Sequence, residues 1–327
     1  MLKALEDSFA SSSKALYAEV RRAVEREVEA YIGRCGSDVR GPLDAEGLRS
    51  FREEVEHYAR LASRMESADS YTRRRIEVWR RKLAVLSRRV RVSRLQSLLT
   101  AMEASLVELG VEQDALLSTA LEGFAEDAYL YTGYTIDIER GFSTGLTPIQ
   151  LSTLVSTKWM GGDFSTRLWR DKDNLLSSLE TVFKRGVAMG RNPRRIAGEL
   201  SNRLGVSYRS CLKLCRTEAM HLYNEATAQS FKEHGVAKYR YMTALGERTC
   251  EVCGALDGRV FDLKDREEGV NWPVLHPNCR CTVSSYSDLL AEAGAYDGER
   301  VARASDGSLF MVPASMTFEQ WKGRYGV

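Results

Sequence analysis

Between Arg248 and Tyr286 the chain reads RTCEVCGALDGRVFDLKDREEGVNWPVLHPNCRCTVSSY, a short stretch holding five of its cysteine and histidine residues, of which the whole sequence has seven and four. Cys250 and Cys253 are two residues apart, so one tight turn aims both sulfurs at a single ion. His276, Cys279 and Cys281 return three more donors after an intervening loop. Tetrahedral zinc takes four such ligands, and the spacing predicts a structural zinc held by Cys250, Cys253, His276 and Cys279. Cys281 is the spare and a possible substitute, on the expectation that Cys279 and Cys281 face opposite ways on an extended segment. Asp257-Gly258 suits a two-residue hairpin turn, so the predicted order is knuckle, hairpin, loop and second ligand pair. The alternative without metal makes the cysteines small buried hydrophobes. A disulfide framework fits poorly: seven cysteines is an odd number. Met1-Leu-Lys-Ala-Leu-Glu-Asp meets acidic residues too early for a secretory signal, which points to a reducing compartment.

A chain of 327 residues is too long for a lone zinc module and long enough for one large core or two ordinary ones. With 43% hydrophobic and 28% charged residues it fits a helix-rich globular protein. The net charge of +2 is nearly balanced, so attraction to DNA has to come from local patches. No apolar run approaches the ~20 residues of a membrane span, and no membrane insertion is expected.

The expected fold class is mainly α: a long helical N-terminal half, then a helical C-terminal domain ending in a small zinc-stabilised β-hairpin segment (α+β). Leu16, Val20, Val24 and Val28 recur every four positions and predict an amphipathic helix from Leu2 to about Ile32, followed by turns at Gly36 and Gly41-Pro42. Asp44 is a capping residue for a second helix reaching about Met65. Cys35 sits in the connection and carries no assigned role.

From Tyr71 to Leu99, Ile76, Trp79, Leu83, Leu86 and Val90 follow the spacing of a helix–helix seam. Around it lie Arg73, Arg74, Arg75, Arg80, Arg81, Lys82, Arg88, Arg89, Arg91 and Arg94, with Glu77 the one acid among them. Such a face contacts nucleic-acid phosphates or an acidic protein surface. The competing reading pairs these cations with Glu53, Glu54, Glu56 and Glu66 of the preceding helix. Residues 1–130 are accordingly a basic, coiled-coil-like helical arm, and 131–147, where Tyr131, Tyr134, Gly133, Gly141 and Gly145 interrupt the helical periodicity, a linker.

Beyond it, Thr147-Pro148 starts a helix that Trp159-Met-Gly-Gly-Asp-Phe-Ser165 breaks, with Ser165 capping the next. Asn192-Pro193 opens a short helix, and Ser207 opens another running to Gly235. On it Glu218, His221 and Glu225 share a face, either an acid–base site or, as preferred, an exposed row of charge pairs. Cys211 and Cys215 read as buried thiols. Lys238 to Leu245 alternates as a strand does. After Tyr286, Leu309–Pro313 predicts an edge strand and Thr317 caps a last helix, in a tail (287–327) too short for a catalytic domain.

Arg216-Thr217-Glu218, Tyr239-Arg-Tyr-Met-Thr-Ala-Leu, Arg248-Thr-Cys-Glu-Val-Cys253, Leu256-Asp-Gly-Arg-Val-Phe261 and His276-Pro-Asn-Cys-Arg-Cys281, in this order, resemble the Mu-F-like minor head proteins of tailed bacteriophages (phage head morphogenesis proteins). The resemblance runs from about residue 159 to 286, and residues 1–150 match only in being helical and charged. It implies a head morphogenesis domain over 148–286 with its knuckle at 239–286. It also implies a virion protein made in the host bacterial cytoplasm and placed at the capsid interior or portal vertex. The implied partners are the portal protein, capsid or scaffolding proteins and packaged double-stranded DNA. Within the motifs, Arg216, Thr217 and Glu218 are expected to tie their helix to the zinc segment. Two alternatives are weighed against a structural role. A metal-dependent nuclease needs a histidine base, yet His276 is consumed as a ligand. A zinc-containing DNA-binding protein needs bases beside the knuckle, yet from Glu247 to Cys281 seven acids face five bases. No enzymatic activity is expected.

Overall fold

The structure, a computed structural model, describes residues 1–35, 41–136 and 145–325. In chain order it contains α1 (Leu2–Cys35), α2 (Ala45–Arg64), α3 (Ser70–Leu86), α4 (Arg94–Ile136), α5 (Pro148–Ser156), α6 (Phe164–Ala188), α7 (Pro193–Glu233), β1 (Lys238–Met242), α8 (Glu251–Gly254), β2 (Val260–Asp262), β3 (Thr282–Tyr286), α9 (Asp288–Glu292), β4 (Glu299–Arg303), β5 (Leu309–Pro313) and α10 (Phe318–Tyr325). The protein is mainly helical, with small antiparallel sheets. It divides into two compact units, each assembled from separated stretches: residues 4–119 with 161–212, and residues 1–3 with 120–160 and 213–327. Helices α4 and α7 contribute to both. The expected turn at Gly36 and residues 137–144 of the expected linker, including Gly141, lie outside the described residues, and the linker's first residues are helical because α4 runs on through Ile136.

In the first unit, Val20, Val24 and Val28 are buried as their spacing predicts. Asp44 caps α2 by accepting from the Gly47 amide at 2.8 Å. Ile76, Trp79, Leu83 and Leu86 form the buried seam of α3, and Trp79, Leu83 and Leu86 join Phe51, Val55 and Trp169 in one core. Each such side chain contributes about 1.5–3 kcal/mol on burial.

The predicted basic helix is shorter than its sequence pattern. It ends at Leu86, and Val90 is 77% exposed instead of continuing the seam. The cause is tertiary: the Leu43 amide donates to the Val92 carbonyl and the Arg94 amide to the Gly41 carbonyl, drawing the chain out of the helical path while Val92 is buried. Arg88, Arg89 and Arg91 therefore lie in a connection, not on the helix. The recorded partners of the cations also differ from the expected α2 glutamates. Arg80 donates to the carbonyls of Ala62 and Met65, Arg73 to those of Ser67 and Ala68, Arg75 pairs with Asp173 and Lys82 with Glu103.

Two further boundaries move. Asp163, not Ser165, caps α6, accepting from the Thr166 amide at 2.7 Å, while Ser165 is buried inside the helix. The two helices expected to meet at Ser207 are one, α7, of 41 residues. Ile196, Leu200, Leu204, Cys211 and Cys215 are all buried along it, and Ser207 uses its hydroxyl inward, donating to Asp171 at 2.5 Å. A buried partner for that hydroxyl removes its tendency to cap.

The second unit carries the knuckle. β1 is the centre of a three-stranded antiparallel sheet, β2-β1-β3, with Lys238 opposite Asp262 and Tyr286. Alternation along β1 sends Tyr239 and Tyr241, both fully buried, to the core side. There Tyr239 and Val283 pack with Trp272 and with Ala228 and Phe231 of α7. The Asp257-Gly258 hairpin does not form. α8 and a turn occupy its place, Gly258 takes φ +79°, and β2 pairs with β1 from before the knuckle. Residues 287–325 belong to the same unit. β4 and β5 pair, Leu245 and Ala302 share a core with Val312, Phe318 and Trp321, and Thr317 and Gln320 cap α10 reciprocally.

Candidate metal centre

Cys250 precedes the single turn of α8 and Cys253 lies within it, so their sulfurs approach from one side; the Cys250 sulfur accepts from the Cys253 amide at 3.4 Å. The 276–281 loop supplies the other donors. His276 Nε2 lies 3.3 Å from the sulfurs of both Cys250 and Cys253, and the Cys253 and Cys279 sulfurs are 3.8 Å apart. In an ideal zinc tetrahedron, ~2.3 Å Zn–S bonds give S···S edges of about 3.8 Å. Cys250, Cys253 and His276 form one ligand group, and Cys253, Cys279 and Cys281 a second that shares Cys253. Cys281 thus faces the same way as Cys279. Residues two apart in extended chain share a face, which reverses the expectation that set it aside.

Three thiols and an imidazole are a donor set of the kind structural zinc takes, and the residues fit the ion. His276 Nδ1 lies 2.9 Å from the Pro277 carbonyl, a contact that leaves Nε2 toward the two sulfurs, where it would ligate an ion. Hydrogen bonds with Cys253 and Cys281 lower the Cys279 thiol, and the Cys253 thiol is correspondingly pushed up by Cys279 and Cys281. Burial opposes ionisation of Cys250, but the Cys253 amide and His276 outweigh it and lower the thiol. Cys250 and Cys279 thus lean toward thiolate, the form that binds metal, while Cys253 and Cys281 are shifted the other way.

Of the Arg216–Glu218 run, Thr217 and Arg216 reach the loop, while Glu218 bonds Trp159. Thr217 Oγ1 accepts from the Asn278 amide at 3.0 Å, and Arg216 donates to the Asn278 side chain at 3.1 Å. Asn224, one of the residues sequence reasoning passed over, donates to the Cys281 carbonyl at 3.2 Å. Asn278 itself has φ +65°, a left-handed conformation Asn tolerates better than most residues. Tyr241 offers its hydroxyl to the Cys253 sulfur at 3.8 Å.

Glu218 and His221 are not on an exposed face. They are 3% and 2% accessible, Glu218 accepts from the Trp159 indole at 2.8 Å, and Trp159 stacks on the His221 ring at 4.2 Å. Glu225 holds Arg266 bidentately, at 3.0 and 2.9 Å, and accepts from Trp272. With Glu218 and Glu225 so engaged, the row is a structural spine and not an acid–base site open to substrate. Asp257 was also missed: its buried carboxylate accepts from the amides of Thr243 and Phe318 and pairs with Arg300 at 3.0 Å.

Residues 177–284, which include the spine, the sheet and every candidate ligand, match the family model described as Phage Mu protein F like protein. Over this span, and short of half the chain, the sequence is similar to that family. The NAD(+)–arginine ADP-ribosyltransferase EFV of Enterococcus faecalis is 23% identical over 192 residues, 54% of this chain and 39% of that protein. The chain thus spans about two fifths of that relative's length. No solved structure gives a significant match. In the matched segment the motifs of Arg216–Glu218, Cys250–Cys253 and His276–Cys281 are one contiguous structure. The basic residues from Arg73 to Arg94 lie outside the matched residues; Arg73, Arg74, Arg81, Lys82, Arg88, Arg89 and Arg91 are exposed. No helix among the described residues is long and apolar enough to cross a membrane.

Proposed function

We propose that this protein is a structural minor head protein of a tailed phage, working with the portal, capsid or scaffolding proteins and packaged DNA in head assembly or genome delivery. Its place is the virion, at the capsid interior or portal vertex. The family match over residues 177–284 carries the reading. The Cys250, Cys253, His276 and Cys279 donors serve as a clamp for one zinc ion, with Cys281 as substitute ligand. The exposed cations between Arg73 and Arg94 contact phosphates or an acidic protein surface. The domain plan is a basic helical arm over 1–130, a linker over 131–147, the head domain over 148–286 and a tail over 287–327.

The chemistry of the cluster supports a structural role there in preference to hydrolysis. The cluster's only histidine points its Nε2 at two sulfurs, leaving no base for hydrolysis. The similarity to an ADP-ribosyltransferase makes transfer from NAD+ to arginine the activity to exclude. Pull-down of portal protein and of genomic DNA at several salt concentrations tests the reading, and capture of neither overturns it. Incubation with NAD+ and an arginine acceptor is expected to leave the acceptor unmodified, and labelled acceptor would replace a structural assignment with an enzymatic one.

A further inference from the structure

A cavity of about 380 Å³ opens beside the cysteine–histidine cluster, within the ~300–1,000 Å³ range of small-molecule pockets. Four arginines line it, Arg216, Arg248, Arg280 and Arg303, against one acid, Glu247. Two come from outside the knuckle: Arg216 from α7, and Arg303 from the end of β4, whose amide is fixed to the Leu245 carbonyl at 2.9 Å. The remaining acids of the knuckle are not among the residues lining the cavity. Asp257 is neutralised by Arg300, and Glu251, 92% exposed, faces Lys322 at 3.8 Å. Zinc with three thiolates carries one net negative charge, so the surroundings stay cationic with the metal bound. Guanidinium forks match phosphate oxygens bidentately, and converging arginines in a concave site are the usual means of holding that group.

We propose that this arginine-walled cavity is a phosphate-binding site, receiving the phosphate of a nucleotide-sized ligand, either free or as part of a nucleic-acid strand. It goes beyond the head-protein reading and stands without it. The full-length protein, its metal content measured first, is titrated calorimetrically with inorganic phosphate, a 5′-mononucleotide and a short single-stranded oligonucleotide. Arg248 and Arg303 are both exposed, so Arg248→Ala and Arg303→Ala are expected to keep the native melting temperature and metal content. Each is expected to weaken mononucleotide binding about tenfold, the worth of one charged hydrogen bond. Tighter binding of the strand than of the mononucleotide, with the same loss in both variants, assigns the phosphate to a nucleic acid; the reverse order assigns it to a free nucleotide. Absence of binding by all three probes at millimolar concentration overturns the site. So does oligonucleotide binding that survives the double variant but is lost on Arg74→Glu and Arg81→Glu. Loss of zinc with phosphate binding intact would count against the clamp alone.

Discussion

At the residue scale, the strongest commitments are a few buried polar atoms. If Cys250, Cys253, His276 and Cys279 hold zinc, purified protein contains about one ion per chain, and Cys250→Ser or Cys253→Ser loses it by elemental analysis. A native protein without metal would sink the clamp. Asp257 tests the tertiary hub. Asp257→Asn leaves Arg300 without its counter-charge and is expected to cost about 3–5 kcal/mol in denaturant melts, whereas Asp265→Asn at an exposed site is expected to stay within ~0.5 kcal/mol. Asp114 tests pH linkage. Burial pushes its carboxyl up to about 6, while in the unfolded chain it titrates near 3.8. Between those values the folded state binds more protons than the unfolded one, so stability falls as pH rises and the loss is complete above the folded value. The shift of about two units corresponds to roughly 3 kcal/mol. Asp114→Asn is expected to flatten the urea midpoint between pH 4.5 and 7.

At the scale of elements, the helix starts were legible because a cap is a local event. Asp44 and Thr147 satisfy amides three residues on, within reach of one side chain. The ends were less legible. Nothing near Leu86 breaks the helical pattern; the break comes from pairing with residues 41–43, which sequence spacing cannot announce. The merging of two expected helices into α7 has the same origin, a buried partner for Ser207. A close approach also fixes the last helix. A Cβ on Gly254 would sit 2.2 Å from the Phe318 ring, so Gly254→Ala is expected to displace α10 and lower the melting temperature, with increased proteolysis after residue 313 as the readout.

At the scale of the whole molecule, the division into two units makes metal removal a selective perturbation. If the cluster holds zinc, the loops at 250–254 and 276–281 that carry the donors depend on the ion. Chelation is expected to raise hydrogen exchange across residues 238–286 while α2 and α3, built on the Phe51–Trp79–Trp169 core, keep their protection. Uniform loss in both units would refute that independence.

Ligand spacing was determined by the sequence, because two residues between Cys250 and Cys253 and the compact His276–Cys281 run limit what one turn can present. So was helical character, since caps and periodicities act within a few residues. Tertiary structure decided the rest. It buried Glu218 and His221 under Trp159, engaged Asp257 with Arg300, and turned Cys281 toward the cluster. It also changed the sign of the electrostatics. Summed along the chain the knuckle is acidic, yet the cavity beside it is lined by four arginines and one glutamate. Charge interactions fall off with distance in space, and position along the chain does not measure that distance.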